Sequence, residues 1–428
     1  MSILQTLRNA WKVAELRQKI LYTLFIIIIF RIGSSIPVPF INADAIADFF
    51  SNGNSLFGYL NMLSGSALAE GTIFALSIQP YINASIIMQL LAIAFPPLER
   101  MVKDGGEEGK KKMNMITRWV TVGIAIIQAL GYLITLTQND ALLGFTGFYG
   151  FIEKAAIIIV LVAGSCLVMW LGESINEKGI GNGISMILFA GIVSRGPQLI
   201  LYMYYEILSG RWYTVLLVTA MALLMLAAIV FFDTAERRIP IQYAKRQVGK
   251  RMYGGQSTHL PIKVAMVGVM PIIFTFAITQ IPATIAQFVP NSGFANFVTK
   301  YFAPTTPVYI ILVFVLIIAF NYFYIAIQYN PVEISNNIKN DGGTIPGIRP
   351  GKPTSDFIIK TVNRVTLFGA LFLGVIAVIP YIFGAIFPQS GGIALGGTSV
   401  LILVSVSLET SKQLESQMLM RNYKGFLE

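Results

Sequence analysis

The sequence predicts an all-helical protein that crosses a membrane many times, and three observations predict this fold class. Hydrophobic residues make up 55% of the 428 residues and charged residues only 12%, whereas soluble domains carry about 25% charged residues. The mean hydropathy is +0.68, and the apolar residues form blocks of about 20, the helix length that crosses a bilayer. A membrane β-barrel would show alternating segments of about ten residues instead.

The apolar blocks predict ten membrane-spanning helices. The sixth is apolar throughout and begins with Trp212 and Tyr213, which are typical of the membrane interface. The tenth is short and includes the stretch Gly396–Ser399. The predicted spans cover residues 20–37, 72–95, 115–137, 154–172, 184–203, 212–232, 264–284, 307–326, 366–387 and 393–408.

The basic residues predict the orientation of these spans. Most of the 31 Lys and Arg residues lie in the two tails and in the connections after even-numbered spans. By the positive-inside rule, both termini are therefore expected in the cytoplasm, and we expect no cleavable signal peptide before the first span. The opposite side carries only Arg31, Lys154, Arg195, Arg211 and Lys300.

A break between Glu206 and Arg211 divides the chain into halves of five spans each, 1–208 and 209–428. An odd number of spans per half inserts the halves in opposite directions, so we expect an inverted repeat. Such repeats place their working site between the halves, near the middle of the membrane.

The sequence predicts no catalytic, metal or cofactor site, and we expect no enzyme. Cys166 and His259 are the single cysteine and histidine. The glycine-rich stretch Gly347–Thr354 has the wrong spacing for a phosphate-binding loop, and Pro353 follows its lysine.

Neutral polar residues occupy the centres of several spans, where a coupled transporter usually keeps charges. Each is explained as well by an interhelical hydrogen bond, worth ~0.6 kcal/mol, as by a water-lined path. In span 2, Pro80 should interrupt the helix while Gln79 and Asn83 share one face, so we predict that this helix lines a watery cavity. The polar residues are Gln79, Asn83, Gln128, Thr275, Thr279, Gln280 and Asn321.

Short motifs spread along the chain indicate a family. They are Phe30–Gly33, Asn61–Leu68, Ile73–Leu76, Gly179–Ser185, Tyr243–Arg246, Gln256–Pro261, Ile345–Gly351 and Gly396–Ser399. Together they resemble the SecY family, the central subunit of the bacterial Sec protein translocase. The resemblance implies an hourglass pore between the halves, through which unfolded preproteins cross the plasma membrane and from which transmembrane segments leave sideways into lipid.

The resemblance also implies a ring of six aliphatic side chains at the narrowest point of the pore. Two pairs of them are four residues apart, so each pair projects from one helix face. Without the resemblance, such residues would more often face lipid or the protein core. Matching the motifs puts the ring at Ile78, Ile82, Ile184, Leu188, Ile273 and Ile402, where the family often has Ile in place of Leu188.

Residues 61–71 resemble the plug of this family, a short helix that closes the outer side of the pore. Its small residues predict a weakly held segment, with Gly71 as a hinge. By composition alone, an ordinary surface loop is the better explanation of the stretch. The plug segment consists of Asn61, Met62, Leu63, Ser64, Gly65, Ser66, Ala67, Leu68, Ala69, Glu70 and Gly71.

In this family a lateral gate opens between spans 2 and 3 on one side and spans 7 and 8 on the other. Candidate gate residues are Asn83, Gln128, Thr275 and Thr279. We expect Gln128 to hydrogen-bond to Thr275 or Thr279 across the gate.

Two basic loops, 233–263 and 328–363, exceed the roughly 2–8 residues of ordinary helix connections. A topology signal explains their charge, and paired basic residues also suit phosphate contacts. The resemblance implies docking of the ribosome and of the motor ATPase SecA, with SecE and SecG as membrane partners, besides the preprotein, its signal peptide and lipid. The docking candidates are Arg237, Arg238, Lys245, Arg246, Lys250, Arg251 and Arg349.

Two other classes of protein remain open from the residues alone. A secondary transporter of a small solute shares inverted repeats and broken helices, and it predicts a substrate cluster at mid-membrane. A purely structural or insertase subunit predicts that no mutation causes an ion leak.

Overall fold

Each predicted span falls on a helix, because a helix satisfies its backbone hydrogen bonds internally, as hydrocarbon demands. The predicted helical membrane fold with ten spans is therefore confirmed, although the protein also contains short strands. The structure, a computed structural model, describes residues 3–42, 45–46, 61, 64–103, 105–145, 147–243, 246–248, 251–253, 257–289, 292–303, 306–386 and 396–424.

The first half of the chain begins with the short amphipathic helix α1 and continues through α8. A sharp break of 106° separates α3 from α4, and Arg195 separates α7 from α8. The helices are α1 (Ile3–Lys12), α2 (Ala14–Gly33), α3 (Gln79–Ala94), α4 (Pro96–Lys103), α5 (Gly106–Gln138), α6 (Phe148–Lys178), α7 (Gly183–Ser194) and α8 (Gly196–Leu208).

The second half combines long helices with short strands. Its helices are α9 (Trp212–Thr234), α10 (Met270–Phe288), α11 (Gly293–Tyr301), α12 (Pro307–Gln328), α13 (Pro331–Asn340), α14 (Lys352–Ile386) and α15 (Gly396–Lys424). Its strands are β1 (Glu236–Tyr243), β2 (Arg246–Val248), β3 (Arg251–Tyr253), β4 (Ser257–Lys263) and β5 (Gly343–Thr344).

Length and composition alone identify seven of the described helical segments as membrane spans, and the bent pair α3 and α4 makes an eighth. Helices α2 and α15 carry the first and tenth predicted spans. Charged residues lie near both ends of α2 and from the middle of α15 to its end. Residues 393–395 of the tenth predicted span lie outside the described part of the chain.

Span 2 begins later than the sequence predicted. Residues 73–78 form consecutive turns, Ser77 has a φ of 49°, and α3 starts at Gln79. Pro80 therefore lies in the first turn of the helix, where its missing N–H leaves no hydrogen bond unmade. The predicted interruption inside this helix is wrong, because the proline starts the helix.

The basic loops contain strands that the sequence analysis missed. Strands β1 and β4 pair antiparallel, with Ile239 opposite Leu260, and β5 adds to the other edge of β1. Ile239 and Ile241 are buried on one face of β1, which is the alternation of a half-buried strand. Together with α13 and the start of α14, this sheet buries a small core of its own.

The largest apolar cluster, here called the central cluster, joins residues from both halves of the chain. It includes side chains from α2, α3, α6 and α7 and from α9, α10, α12, α14 and α15. A second cluster packs Val38, Ile46 and Leu68 against α5 and α6. The two clusters place the predicted ring and the predicted plug segment in different parts of the apolar interior.

Candidate functional site

The six ring candidates, here called the waist, all belong to the central cluster or pack against it. Ile78 and Ile402 are fully buried, at 0% exposure, and Leu188 is at 1%. Ile82 and Ile273 are also buried, while Ile184 is half-buried at the edge of the cluster. The structure thus brings residues of α3, α7, α10 and α15 into one apolar region.

Local sequence features position the waist residues. Asn182 caps α7, since its side chain accepts hydrogen bonds from the backbone N–H groups of Ile184 (3.0 Å) and Ser185 (3.4 Å). Gly183 lies so close to Gly172 that a Cβ on Gly183 would approach the Gly172 carbonyl oxygen to 1.8 Å. Only glycine permits this contact, which fixes the start of α7 against α6.

The described part of the plug segment, residues 64–71, forms a run of turns rather than a helix. Three of its residues have positive φ, Gly65 at 68°, Ser66 at 75° and Gly71 at 59°, which a helix does not allow. Ser64, Ser66, Ala67 and Leu68 are buried. Met62 and Leu63 lie outside the described residues.

Side chains of three other segments hold the plug segment. The Tyr132 hydroxyl on α5 donates to the Leu68 carbonyl oxygen at 2.8 Å. The Ser66 hydroxyl donates to Gln198 Oε1 on α8 at 3.3 Å, and Arg31 Nη1 at the end of α2 donates to the Gly65 carbonyl oxygen at 3.3 Å. The plug segment is therefore held by specific hydrogen bonds, which the prediction of a weakly held segment did not anticipate.

The ends of the plug segment are also fixed. Its Gly71 carbonyl accepts from the backbone N–H of Val38 at 2.9 Å, beside an isolated bridge between Pro37 and Thr72. Asn61 Oδ1 accepts from the backbone N–H of Ala69 at 3.0 Å.

The boundary between α3 and α10, here called the seam, contains a hydrogen bond from Gln79 Nε2 to Gln280 Oε1 at 2.8 Å. Both side chains are buried, at 6% and 8% exposure. The hydroxyls of Thr275 and Thr279 donate instead to carbonyls of their own helix, at Pro271 and Phe276. The expected bond between Gln128 and either threonine does not form.

The seam keeps polar groups that the protein does not satisfy. Gln280 Nε2 is buried there without a hydrogen-bond partner among the described residues, and so is Asn83 Oδ1, one turn further along α3 than Gln79. Gln128, Tyr132 and Thr284 line a small adjoining cavity of about 40 Å³, together with Leu68 of the plug segment. The sequence singled out Gln79 and Gln280 as mid-span polar residues, but their pairing required the tertiary structure.

The docking candidates lie on the strands and on one turn. Arg237 and Arg238 are exposed on β1, and Arg238 pairs with Glu236 at 2.6 Å. Arg246 and Arg251 belong to the paired strands β2 and β3, while Lys245 and Lys250 lie outside the described residues.

Arg349 is exposed in a turn between β5 and α14. Gly347 and Gly351 flank it with φ values of 81° and 98°, and the Thr354 hydroxyl donates to its carbonyl oxygen at 2.8 Å. This turn leaves the Arg349 side chain exposed to solvent.

A charged cavity of about 330 Å³, which no sequence motif predicted, lies at the start of α10. Asp233 on α9 and Lys412 on α15 form an ion pair of 2.6 Å on its wall, and Lys263 and Glu409 also line it. In the described part of the chain, no three His, Cys, Asp or Glu residues group as metal ligands.

Comparison with known proteins identifies the family. The SecY family model matches residues 72–411. The protein translocase subunit SecY of Streptomyces galbus is 43% identical over 438 residues, which cover 99% of this chain and 100% of that protein.

Solved structures show the same fold. A protein-conducting channel superimposes with a TM-score of 0.69 at 20% identity, covering 94% of this chain and 92% of that one. Sec61 in a canine ribosome–channel complex from the endoplasmic reticulum superimposes with a TM-score of 0.64 at 18% identity, over 94% and 92% of the two chains. The chain therefore belongs to the SecY family of protein-translocating channels.

Proposed function

We propose that the waist is the constriction through which an unfolded preprotein crosses the membrane. The single observation that carries this proposal is the burial of all five waist residues other than Ile184 in one cluster built from both halves. The two halves are residues 1–208 and 209–428, and the constriction lies where their helices meet.

An aliphatic constriction suits this task physically. Ions need water around them, and a narrow apolar passage excludes water and therefore ions. Aliphatic side chains make no directional hydrogen bonds, so they close around a chain of any sequence. An apolar waist can therefore let a polypeptide pass while it excludes ions.

The plug segment, residues 61–71, is the second closure in this proposal. It lies beside α5 and α7 through contacts of Leu68 and Gly65. Movement of this segment away from α5 and α7 would open the pore on its outer side.

The seam between α3 and α10 is the proposed lateral gate. A helical segment of a preprotein that enters there meets lipid on one side and the pore on the other. The buried polar groups of Gln280 and Asn83 that lack partners cost free energy while the seam is closed, about 1–3 kcal/mol each. This cost reduces the free-energy difference between the closed seam and an open seam, in which water can hydrogen-bond to these groups.

The basic loops are the proposed docking site for the ribosome and for SecA, on the cytoplasmic side of the bacterial plasma membrane. The relative from the endoplasmic reticulum is part of a ribosome–channel complex, and the exposed Arg237, Arg238 and Arg349 offer positive charge that suits contacts with phosphate. Both termini lie on that side, and SecE and SecG are the proposed partners within the membrane.

Crosslinking tests the path directly. A preprotein arrested during transport should crosslink to a cysteine or photoreactive residue at Ile82 or Ile402, both buried in the waist. Ile311 on α12 is 63% exposed and predicted to face lipid, so it is the matched control. Equal crosslinking at Ile311 and Ile402 would contradict the proposed path.

A charge reversal tests the docking proposal separately. Arg349→Glu should abolish SecA-driven secretion, because the exposed turn would repel an acidic or phosphate partner. Insertion of the variant chain into the membrane should be normal, since the turn is outside the apolar bundle. Normal SecA-driven secretion by this variant would disprove the assignment of Arg349.

A further inference from the structure

One guanidinium nitrogen at the end of α2 contacts three separate segments of the chain. Arg31 Nη1 lies 3.3 Å from the Gly65 carbonyl oxygen of the plug segment. It also lies 3.3 Å from the Ser194 hydroxyl oxygen at the end of α7 and from the Ser34 hydroxyl oxygen beside it. Arg31 is the sole cation that touches the plug segment among the described hydrogen bonds and ion pairs.

The two serine hydroxyls are oriented as acceptors. Ser34 Oγ donates its proton to the Arg31 carbonyl oxygen at 2.8 Å, and Ser194 Oγ donates to the Gly191 carbonyl oxygen at 2.7 Å. Because each hydroxyl has one proton, the lone pairs of both oxygens are left to face the guanidinium. Two of the three acceptors for Arg31 are thus in place without the plug segment, and the Gly65 carbonyl oxygen completes the set.

Gly65 fits against α7 only because it lacks a side chain. A Cβ at this position would lie 2.6 Å from Ser194 Oγ and 2.9 Å from the Gly191 carbonyl oxygen. Its φ of 68° is also a conformation that glycine adopts without strain. The backbone of the plug segment therefore reaches the same turn of α7 that Arg31 contacts, and α7 carries two waist residues.

Arg31 remains largely exposed, so its charge is not desolvated at the site. Its three contacts are each 3.3 Å long, so Arg31 holds the site through several shared contacts rather than through one short hydrogen bond. The other side chains that hold the segment, Tyr132 and Gln198, are neutral and belong to α5 and α8. The contact on the α2 side therefore depends on Arg31.

We propose that Arg31 is a latch for the plug segment: its guanidinium holds the Gly65 carbonyl against α7 and thereby sets how rarely the closed channel conducts ions. The proposal rests on the assignment of residues 61–71 as the plug. Arg31 acts here as a positioning residue, because it contacts the closing segment and not the transported chain.

The experiment measures ion conductance of the intact translocase complex in planar bilayers. Arg31→Met keeps the length and removes the donors, and we expect about a tenfold rise in the conducting fraction, equivalent to about 1.4 kcal/mol. Arg31→Lys should restore most of the closure, since an ammonium offers three donors to the three acceptors that Nη1 now shares. Arg364→Met, at an exposed arginine of α14, removes the same charge and should leave conductance unchanged.

Deletion of residues 61–71 separates failure of the latch from failure of the plug assignment. If the deletion variant leaks ions and the Arg31→Met variant does not, the latch is disproved and the plug assignment remains. If neither variant leaks ions, the plug assignment is disproved and the latch with it.

Hydrogen exchange distinguishes a latch from a structural role in α2. In Arg31→Met, the amides of Leu68 and Ala69 should exchange about tenfold faster, while those of α2 around Ile26 keep their protection. Equal acceleration in both segments would mean that the substitution loosens α2, and it would overturn the proposal. The proposal would also be overturned if the Arg31→Lys variant leaked ions as much as the Arg31→Met variant.

Discussion

The waist and the plug segment close the same proposed path by different physical means. The waist consists of aliphatic side chains in the central cluster, and no side-chain hydrogen bond can connect them. The plug segment is built mostly of small residues and is held by Tyr132, Gln198 and Arg31. Apolar contact is not directional and re-forms after any displacement, whereas a set of hydrogen bonds re-forms in only one position.

Of the two closures, the waist is the one that tolerates the transported chain. The waist can stay in contact with a passing polypeptide, because burial free energy depends on area and not on geometry. The plug segment cannot do so, since its carbonyls must return to specific donors. Substitutions that add polarity should therefore harm the waist most, while substitutions that disturb fit or a single donor should harm the plug segment.

The largest effect is expected for polarity in the waist. Ile402→Asn introduces an amide that keeps water in the constriction, and ion conductance should rise on the order of a hundredfold. Planar-bilayer recording of the reconstituted complex measures it. Ile402→Val keeps the side chain aliphatic and should not leak; a leak of equal size in both variants would refute the polarity argument.

The next largest effect is expected for fit in the plug segment. In Gly65→Ala the new Cβ would lie 2.6 Å from Ser194 Oγ, so the segment cannot reach α7, and conductance should rise roughly thirtyfold, equivalent to about 2 kcal/mol. Gly144→Ala is the control, because Gly144 has a similar φ of 75° with nothing within 4 Å of its Cβ position. A leak in the control variant would point to backbone strain rather than fit.

A smaller effect is expected for the neutral anchor on α5. Tyr132→Phe removes the 2.8 Å bond to the Leu68 carbonyl and keeps the buried ring. The loss of one neutral hydrogen bond is worth about 1 kcal/mol, so conductance should rise about fivefold. Combined with Arg31→Met, the two effects should multiply if the anchors act independently; a double variant no leakier than either single one would contradict that independence.

The smallest effect on ion conductance is expected at the seam, because polar side chains are already buried there. Substitutions at the seam should instead change the free energy of unfolding. Gln79→Leu leaves the Gln280 amide without its partner and should destabilise the protein by about 1–3 kcal/mol. The double variant Gln79→Leu with Gln280→Leu should regain most of that stability, because no amide is then left unpaired. Thermal unfolding of the complex measures both.

A matched pair checks that result. Thr275 donates to its own helix, so Thr275→Val combined with Gln79→Leu should give additive effects. If Thr275→Val restored the stability of Gln79→Leu as well as Gln280→Leu does, the hydrogen bond between Gln79 and Gln280 would not be specific.

The sequence predicted the spans well because each depends on a local property. About twenty consecutive apolar residues form a helix inside a membrane, because the hydrocarbon offers no hydrogen bonds to the backbone. Short sequence motifs pointed to the waist candidates. The start of α3 was mispredicted, because Pro80 suits the first turn of a helix as well as a break. The strand β1 was missed because short alternation in a basic loop is a weak signal beside long apolar blocks.

The membrane-spanning helices and the family could be read from the sequence. The pairing of Gln79 with Gln280, of Arg31 with Gly65 and of Asp233 with Lys412 could be seen only in the folded protein. The physical reason is the range of the interactions. Helix formation and membrane insertion depend on neighbours along the chain, whereas these partners are distant in sequence and meet only when the packed helices bring them within hydrogen-bonding distance.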